Sequence, residues 1–181
     1  MDERYHRDHL IEILRNAYSG ELAAAYAYRG HWKSLKDAAE IDHIKKIEDE
    51  EWLHREKVGR LLEAMRSAPS KRKEARMWLI GRTVGLACHL IGRFLPMYFA
   101  GRLETSNVGE YEAAARHAGE LGLIEFESEL RVMAAVEKEH ESFFMGVVAN
   151  HRLLPFMRAL FKWGPVESPK ARKAGSDLTS H

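Results

Sequence analysis

The sequence predicts an all-α protein built on a four-helix bundle, with an inserted apolar helix and a short amphipathic helix near the C-terminus. Two observations lead to this prediction. All five prolines lie at residue 69 or later, and the long segments between breaks are rich in Ala, Leu, Glu, Lys and Arg, which favour helices. Apolar residues also recur at spacings of three and four, which is the period of an amphipathic helix.

Two helices are expected in the first third of the chain, over residues 5–33 and 36–66. Each has one apolar stripe, and side chains of metal-binding type interrupt both stripes. The first stripe contains Glu21, and the second contains Glu51 and His54. The other stripe positions are Leu10, Leu14, Ala17, Ala25, Tyr28 and Trp32 on the first helix, and Ile44, Ile47, Val58, Leu61 and Met65 on the second.

A break follows the second helix, because Pro69 lies between small residues. The basic run at residues 71–73 is interpreted as a solvated loop. Residues 74–94 then predict a helix with little polar surface. Its longest uncharged run is too short for a bilayer span, which needs about 20 residues. This helix is expected either to be buried on most sides or to lie at a membrane interface.

Two further helices complete the predicted bundle. Pro96 is expected to start the first of them, Glu104 is the lone carboxylate on its stripe, and glycines at 119 and 122 end it. The last bundle helix has Glu137 and His140 on its apolar face. The other stripe positions are Met97, Ala100, Val108, Tyr111, Ala115 and Ala118, followed by Phe126, Leu130, Met133, Phe144 and Val147.

The C-terminal part of the chain has two sections. Residues 152–163 mix large apolar and basic side chains, which predicts the short amphipathic helix. From residue 164 the chain is polar and contains Pro165 and Pro169, which predicts a disordered tail. The expected organisation is therefore one domain over residues 1–163, large enough for its own hydrophobic core, and a tail over residues 164–181.

The pattern Glu-x-x-His occurs at residues 51–54 and again at residues 137–140. Residues three apart on a helix lie about 60° apart around its axis, so such a pair can bind one ion. In ferritin-like carboxylate proteins two helices provide this pattern, and each of the other two provides one inward glutamate. Glu21 and Glu104 occupy these positions, each about one helix upstream of its motif. The predicted bundle is therefore ferritin-like, with six metal ligands.

Four carboxylates and two imidazoles suit a pair of iron ions, with manganese as the alternative, because hard carboxylate oxygens can bridge two redox-active metals. Zinc is a poorer match, since its structural sites favour thiolate and imidazole. The competing explanation is chance, because glutamate is common on helix surfaces. Burying four unpaired carboxylates on apolar stripes would cost several kcal/mol each without a cation, which argues against chance.

Composition and charge argue against several other kinds of function and site. The net charge is +1, from 28 basic and 27 acidic residues, and gives no reason to expect a nucleic-acid partner. Cys88 is the only cysteine, so the chain has no intramolecular disulfide and no rubredoxin-type iron centre, and an external electron donor is expected. The N-terminus lacks an apolar signal region. We therefore expect a cytoplasmic protein, either free or peripheral on the inner face of the membrane.

Four further residues lie near the expected ligands in the helical pattern. Tyr111, two turns beyond Glu104, is a candidate neighbour of the metal ligands, with core packing as its alternative role. Tyr18 and Tyr28 are expected either to line the cavity beside the ligands or to pack in the core, and core packing is the favoured role. Glu48, one turn before the second-helix motif, is expected either to support the ligands or to be solvated, and solvation is slightly favoured.

The motifs resemble those of the demethoxyubiquinone hydroxylases, di-iron monooxygenases of ubiquinone biosynthesis with a ferritin-like fold. The resemblance covers about residues 10–163. The family's Asn/Asp-His-Ala-Gly-Glu and Tyr-x-Gly-Gln stretches are similar to residues 17–21 and 28–31, and its Glu-x-x-His-Leu is similar to residues 51–54. Its later Val-Glu and His-Tyr are similar to residues 103–104 and 110–111, and its acidic Glu-x-x-His is similar to residues 137–141.

The chain departs from the family pattern at four positions that neighbour the ligands. Tyr18 replaces a His, Ser19 an Ala, His31 a Gln, and Glu110 the His of His-Tyr. All six expected ligands are retained, so metal binding is expected to be retained as well. The changed neighbours would shape the substrate pocket. A divergent member of the family that acts on another substrate is therefore the alternative expectation.

The resemblance implies an O₂-dependent di-iron monooxygenase that hydroxylates a lipophilic quinone-like or aromatic substrate, with the six ligands acting through the metals. The apolar segments 77–99 and 152–163 would then contact a membrane, or alternatively the core or a second copy in a homo-oligomer. A rubrerythrin-like or ferritin-like protein that binds iron or scavenges peroxide is the second hypothesis. A structural bundle with a degenerate site is the third.

Overall fold

A computed structural model describes residues 2–165, so the predicted tail lies outside the described residues except for its first two positions. The described part is helical and contains no strand. This agrees with the predicted all-α class. Its helices are α1 (Glu3–Ser34), α2 (Ala38–Ala64), α3 (Lys71–Ala87), α4 (Phe94–Glu120), α5 (Ile124–Val148) and α6 (Leu154–Phe161).

Four long helices, α1, α2, α4 and α5, pack into a bundle, and α3 lies against α1. The bundle has two apolar cores. One includes Leu14, Val58, Ala115 and Leu130, and the other includes Tyr28, Ile47, Met97 and Phe144. On every bundle helix the predicted metal ligands lie between the residues of the two cores. The predicted ligand layer is therefore enclosed by apolar packing on both sides along the bundle axis.

The basic run at residues 71–73 is helical, and its interpretation as a loop was wrong. Ser70 is the N-cap of α3, and its side chain accepts a hydrogen bond from the backbone N–H of Lys73. The three basic residues are exposed, as expected, but they form the first turn of the helix. A serine cap directly before a helix-forming sequence accounts for the difference.

The third helix ends earlier than predicted. It stops at Ala87, and residues 88–93 form a turn that includes Gly92 in the left-handed region at φ 76°. The apolar run continues through this turn, so hydrophobicity alone could not locate the end of the helix. The next helix begins at Phe94, which places Pro96 in its first turn, where a missing N–H costs little.

Burial of α3 on most sides, one of the two expectations for this segment, does not occur in the described monomer. The helix buries only Gly81 and Gly85, whereas Leu79 and Leu86 are 60% and 68% exposed. It approaches α1 through glycine: a Cβ added at Gly30 would lie 2.3 Å from the Gly85 Cα atom. The two backbones are therefore in direct contact, and the large apolar side chains of α3 face outward.

The C-terminal segment packs on α4 through a tryptophan. The predicted amphipathic helix at residues 152–163 is observed as the shorter α6, and Lys162 then adopts a left-handed conformation at φ 58°. The Trp163 ring lies over Gly101, and its Nε1–H donates to the Thr105 hydroxyl oxygen at 2.7 Å. In the described part of the chain, no helix is both long enough and apolar enough to cross a membrane.

Candidate metal centre

The six predicted ligands come together at the middle of the bundle. Each is at most 3% exposed. They form two overlapping groups whose potential ligand atoms lie within 4.8 Å of one another. Both groups contain Glu51 and Glu137; the first is completed by Glu21 and His54, and the second by Glu104 and His140.

The imidazoles face the carboxylates without forming ordinary hydrogen bonds to them. His54 Nδ1 lies 2.8 Å from Glu137 Oε1, and His140 Nδ1 lies 3.6 Å from both Glu51 Oε1 and Glu137 Oε2. These two nitrogens and all four oxygens of the shared glutamates have no hydrogen-bond partner within the described chain. Buried polar atoms are rarely unpaired. Several such atoms converging on one place are the expected state of metal ligands.

The electrostatics also favour bound cations. Burial raises the pKa of Glu51 and of Glu104 well above the usual value, and the charge of Glu137 adds to the effect in both cases. Burial likewise raises the pKa of Glu21. Burial acts on Glu137 in the same direction, but His140 and His54 outweigh it and lower the pKa of this carboxyl. Ionising all the carboxylates together therefore requires positive charge nearby.

Two divalent cations would supply this charge. Four ionised glutamates and two neutral imidazoles carry four negative charges, which two divalent ions balance. Oxygen and imidazole ligands without thiolate suit iron or manganese. The residues present therefore fit a two-metal centre that these six side chains would hold, with Glu51 and Glu137 common to both ligand groups.

Two tyrosines hydrogen-bond to the outer glutamates. The hydroxyl of Tyr28 donates to Glu104, and the hydroxyl of Tyr111 donates to Glu21. Burial raises the pKa of both phenols well above 10, so they remain protonated donors. Tyr28 reaches from α1 to Glu104 on α4, and Tyr111 reaches from α4 to Glu21 on α1. Tyr111 is thus a neighbour of the predicted ligands, and Tyr28 has both of its expected roles, since it packs in the core and also lines a cavity beside the site.

Glu50 is a neighbour of the site that the sequence interpretation missed. Its Oε2 lies 2.9 Å from His140 Nε2. Burial alone would raise the pKa of Glu50, but the hydrogen bond with His140 outweighs it and lowers this pKa. A carboxylate in this place fixes the imidazole so that Nδ1 faces the other ligands. Glu50 lies off the apolar stripe, so helical periodicity gave no sign of its role.

Glu48 is buried, and its interpretation as a solvated residue was wrong. Arg29 Nε donates to one carboxylate oxygen at 2.7 Å, and Trp32 Nε1 donates to the other at 2.8 Å. Only 6% of Glu48 is exposed. These contacts join α2 to the end of α1 one turn away from Glu51, and they supply the partners that a buried carboxylate needs.

Two cavities lie between α1, α3 and α4. The larger has a volume of about 770 Å³ and is lined by Ala24, Tyr28, His31, Val84 and Phe99, among others. The smaller, about 320 Å³, reaches Glu21 and Tyr111. Leu103 lines both. Three of the four positions that depart from the resembled family pattern line these cavities: His31 in the larger, and Ser19 and Glu110 in the smaller.

Comparison with family models provides independent evidence on this arrangement. The model of ubiquinone biosynthesis protein COQ7 matches residues 8–116, which is more than half of the chain and includes Glu21, Glu51, His54 and Glu104. No curated protein and no solved structure matches the chain. The family match confirms the resemblance for the motifs within residues 8–116, and the last motif, at residues 137–141, lies beyond the matched region. The chain therefore belongs to the COQ7 family, a ferritin-like di-iron family of ubiquinone biosynthesis hydroxylases, and its helical bundle with a buried glutamate and histidine cluster is compatible with this family.

Proposed function

We propose that the protein is a di-iron carboxylate monooxygenase that uses O₂ to hydroxylate a lipophilic quinone-like or aromatic substrate. The observation that supports this most directly is the pair of overlapping ligand groups sharing Glu51 and Glu137. Bound iron would supply the redox chemistry with O₂. Electrons would come from an external donor, because the only cysteine, Cys88, cannot form a redox pair within the chain.

The protein's own residues would hold the metals and exclude water. Glu21 with His54 would help to hold one ion and Glu104 with His140 the other, and Glu51 and Glu137 belong to both ligand groups. The hydroxyl groups of Tyr28 and Tyr111 would orient the outer carboxylates. The apolar cores on either side keep bulk water away from the centre, which strengthens electrostatic interactions there.

The larger cavity supports a lipophilic substrate. Its volume of about 770 Å³ is within the range of small-molecule sites, and its wall is mainly apolar. Ala24, Ala27 and Ala100 leave room that larger side chains would fill. The cavity includes Tyr28, which is bonded to the ligand glutamate Glu104, so a molecule inside it would lie beside the proposed centre.

The surface around this cavity supports access from a membrane. Val84, Ile91 and Phe99 line the cavity, yet they are 46%, 46% and 39% exposed. Leu90 in the adjoining turn is 83% exposed. Further exposed apolar residues are Leu79 and Leu86 on α3, and Phe156 and Leu160 on α6. Monomeric proteins rarely expose large apolar patches, so we propose that this surface contacts membrane lipid.

Basic residues accompany the apolar ones and favour an anionic lipid surface. Arg82 lies on α3, Arg158 lies on α6, and Arg102 and Lys162 line the larger cavity. Attraction of these residues to anionic headgroups would add to apolar insertion. Peripheral binding of this kind would deliver a lipophilic substrate from the bilayer directly to the cavity. A second copy of the chain is the competing occupant of this surface.

Isotope labelling tests the proposed reaction. The iron-loaded protein is supplied with ¹⁸O₂, a chemical reductant with a mediator, and a quinone that has one unsubstituted ring position. We expect one ¹⁸O atom in the hydroxylated product, and none with the Glu51→Ala variant. Iron uptake far beyond two ions per chain, without ring hydroxylation, would instead favour the ferritin-like alternative. Peroxide consumption without ring hydroxylation would favour the rubrerythrin-like one.

A further inference from the structure

His31 is a buried polar residue in the wall of the larger cavity. It lies on α1 one turn beyond Tyr28 and is 2% exposed. Its Nε2 has no hydrogen-bond partner among residues 2–165. Buried polar groups nearly always have partners, so an unpaired one in a cavity wall calls for an explanation. The proposed metal centre does not use this residue.

The imidazole of His31 is neutral at physiological pH. Burial lowers its pKa to about 4; the carboxylate of Glu40 has a smaller effect that raises this pKa, and Arg93 lowers it further. A neutral imidazole has one N–H donor and one acceptor nitrogen. Nε2 can therefore either donate to a carbonyl oxygen or accept from a hydroxyl group, depending on the tautomer. No acidic residue lines the cavity within the described chain, so an oxygen of an uncharged ligand would not lie against a carboxylate there.

Other polar groups of the cavity wall already have partners or lie toward solvent. Tyr28 donates to Glu104, and the hydroxyl of Thr105 bonds to Glu141 and accepts from Trp163. Arg102 and Lys162 are exposed. A ligand oxygen beside His31 would therefore meet a nitrogen, Nε2, that has no other hydrogen-bond partner in the described chain.

The geometry points to His31 as the residue that binds an oxygen substituent of the lipophilic ring compound in the larger cavity, and so sets substrate specificity. This inference rests on the proposed function and adds to it the chemical group that is recognised. The apolar wall would contact the ring and its hydrocarbon chain, and the exposed side of the cavity would let the chain extend outward. A hydrocarbon without oxygen would leave Nε2 unpaired.

Binding measurements on purified protein test this role without requiring turnover. A fully substituted benzoquinone with a hexyl chain is compared by calorimetry with hexylbenzene, using the wild type, His31→Leu and His31→Gln. We expect His31→Leu to weaken quinone binding about tenfold, the effect of losing one hydrogen bond, without weakening hexylbenzene binding. Because a glutamine amide can also donate or accept, His31→Gln is expected to stay within about threefold of the wild type.

His9→Leu is the matched control, because His9 lies on the same helix, is exposed and does not line the cavity. It is expected to bind both compounds as the wild type does. Equal quinone affinity in the wild type and His31→Leu would overturn the inference, and so would an equal loss for both compounds. Either result would leave the labelling experiment unaffected. A wild type that binds no quinone would overturn both this inference and the proposed substrate class.

Discussion

The carboxylate of Glu50 accepts a hydrogen bond from His140 Nε2 at 2.9 Å, which turns the other nitrogen of this imidazole toward Glu51 and Glu137. Within the described chain, His140 Nδ1 itself has no hydrogen-bond partner. The orientation of one proposed ligand is thus set by a residue next to another proposed ligand in the sequence. This arrangement leads to the first prediction.

Replacing Glu50 with alanine should weaken metal binding without removing a ligand. Loss of a carboxylate behind a ligating histidine typically costs about 10- to 100-fold in metal affinity. Anaerobic Fe²⁺ titration against a competing chelator measures this. Glu63→Ala is the matched control, since Glu63 is exposed on the same helix. An affinity equal to that of the wild type in Glu50→Ala would show that the hydrogen bond does not support the centre.

The backbone contact between α1 and α3 predicts that alanine has opposite effects on stability at two glycines of α1. A Cβ at Gly30 would lie 2.3 Å from the Gly85 backbone, whereas one at Gly20 would meet nothing within 4 Å. Gly20→Ala should therefore stabilise the protein by up to about 1 kcal/mol through helix propensity. Gly30→Ala should lower the free energy of unfolding by about 2 kcal/mol, because the helices must separate. Urea denaturation of both variants compares them directly, and equal effects would contradict the observed crossing.

The buried His31 predicts a pH dependence of stability. Its pKa is about 4 in the folded protein against 6.5 for the free side chain. Below pH 6.5 the unfolded chain binds a proton that the folded chain does not, so stability falls as the pH drops from 6.5 toward 4. The contribution is about 3 kcal/mol when fully lost.

Comparison with His31→Leu isolates this contribution from that of the acidic residues. Urea unfolding at pH 7 and pH 4.5 should show a larger loss of stability for the wild type than for the variant, by about 2 to 3 kcal/mol. Equal losses in both proteins would mean that His31 is accessible to protons in the folded state.

Flotation with anionic vesicles tests the proposed membrane surface. The wild type should float with vesicles that contain phosphatidylserine. The double variant Leu86→Ser, Leu90→Ser should remain with the soluble fraction, because both side chains are more than two-thirds exposed in the proposed surface. Leu53→Ser is the control, since Leu53 is 53% exposed on α2. A wild type that does not float but forms dimers in solution would assign the surface to a second copy.

Much of the site was predictable from the sequence, because its ligands follow helical periodicity. Glu51 and His54 interrupt an apolar stripe whose other predicted members are all buried. Features that depend on packing between helices were not predictable. Glu50 lies off the stripe, Glu48 is buried only because Arg29 and Trp32 reach it from another helix, and the end of α3 falls within a continuous apolar run. His31 differed from a family motif, but only the cavity indicates a role for it.

Metal analysis of three variants tests the central claim most directly. Glu51 and Glu137 belong to both ligand groups, so replacing either with alanine should remove most of both ions, whereas the exposed Glu139→Ala should change nothing. We expect about two iron ions per chain in the wild type and in Glu139→Ala, as the two ligand groups imply. We expect little bound iron in Glu51→Ala and Glu137→Ala. Wild-type metal content in these two variants would contradict the proposed centre.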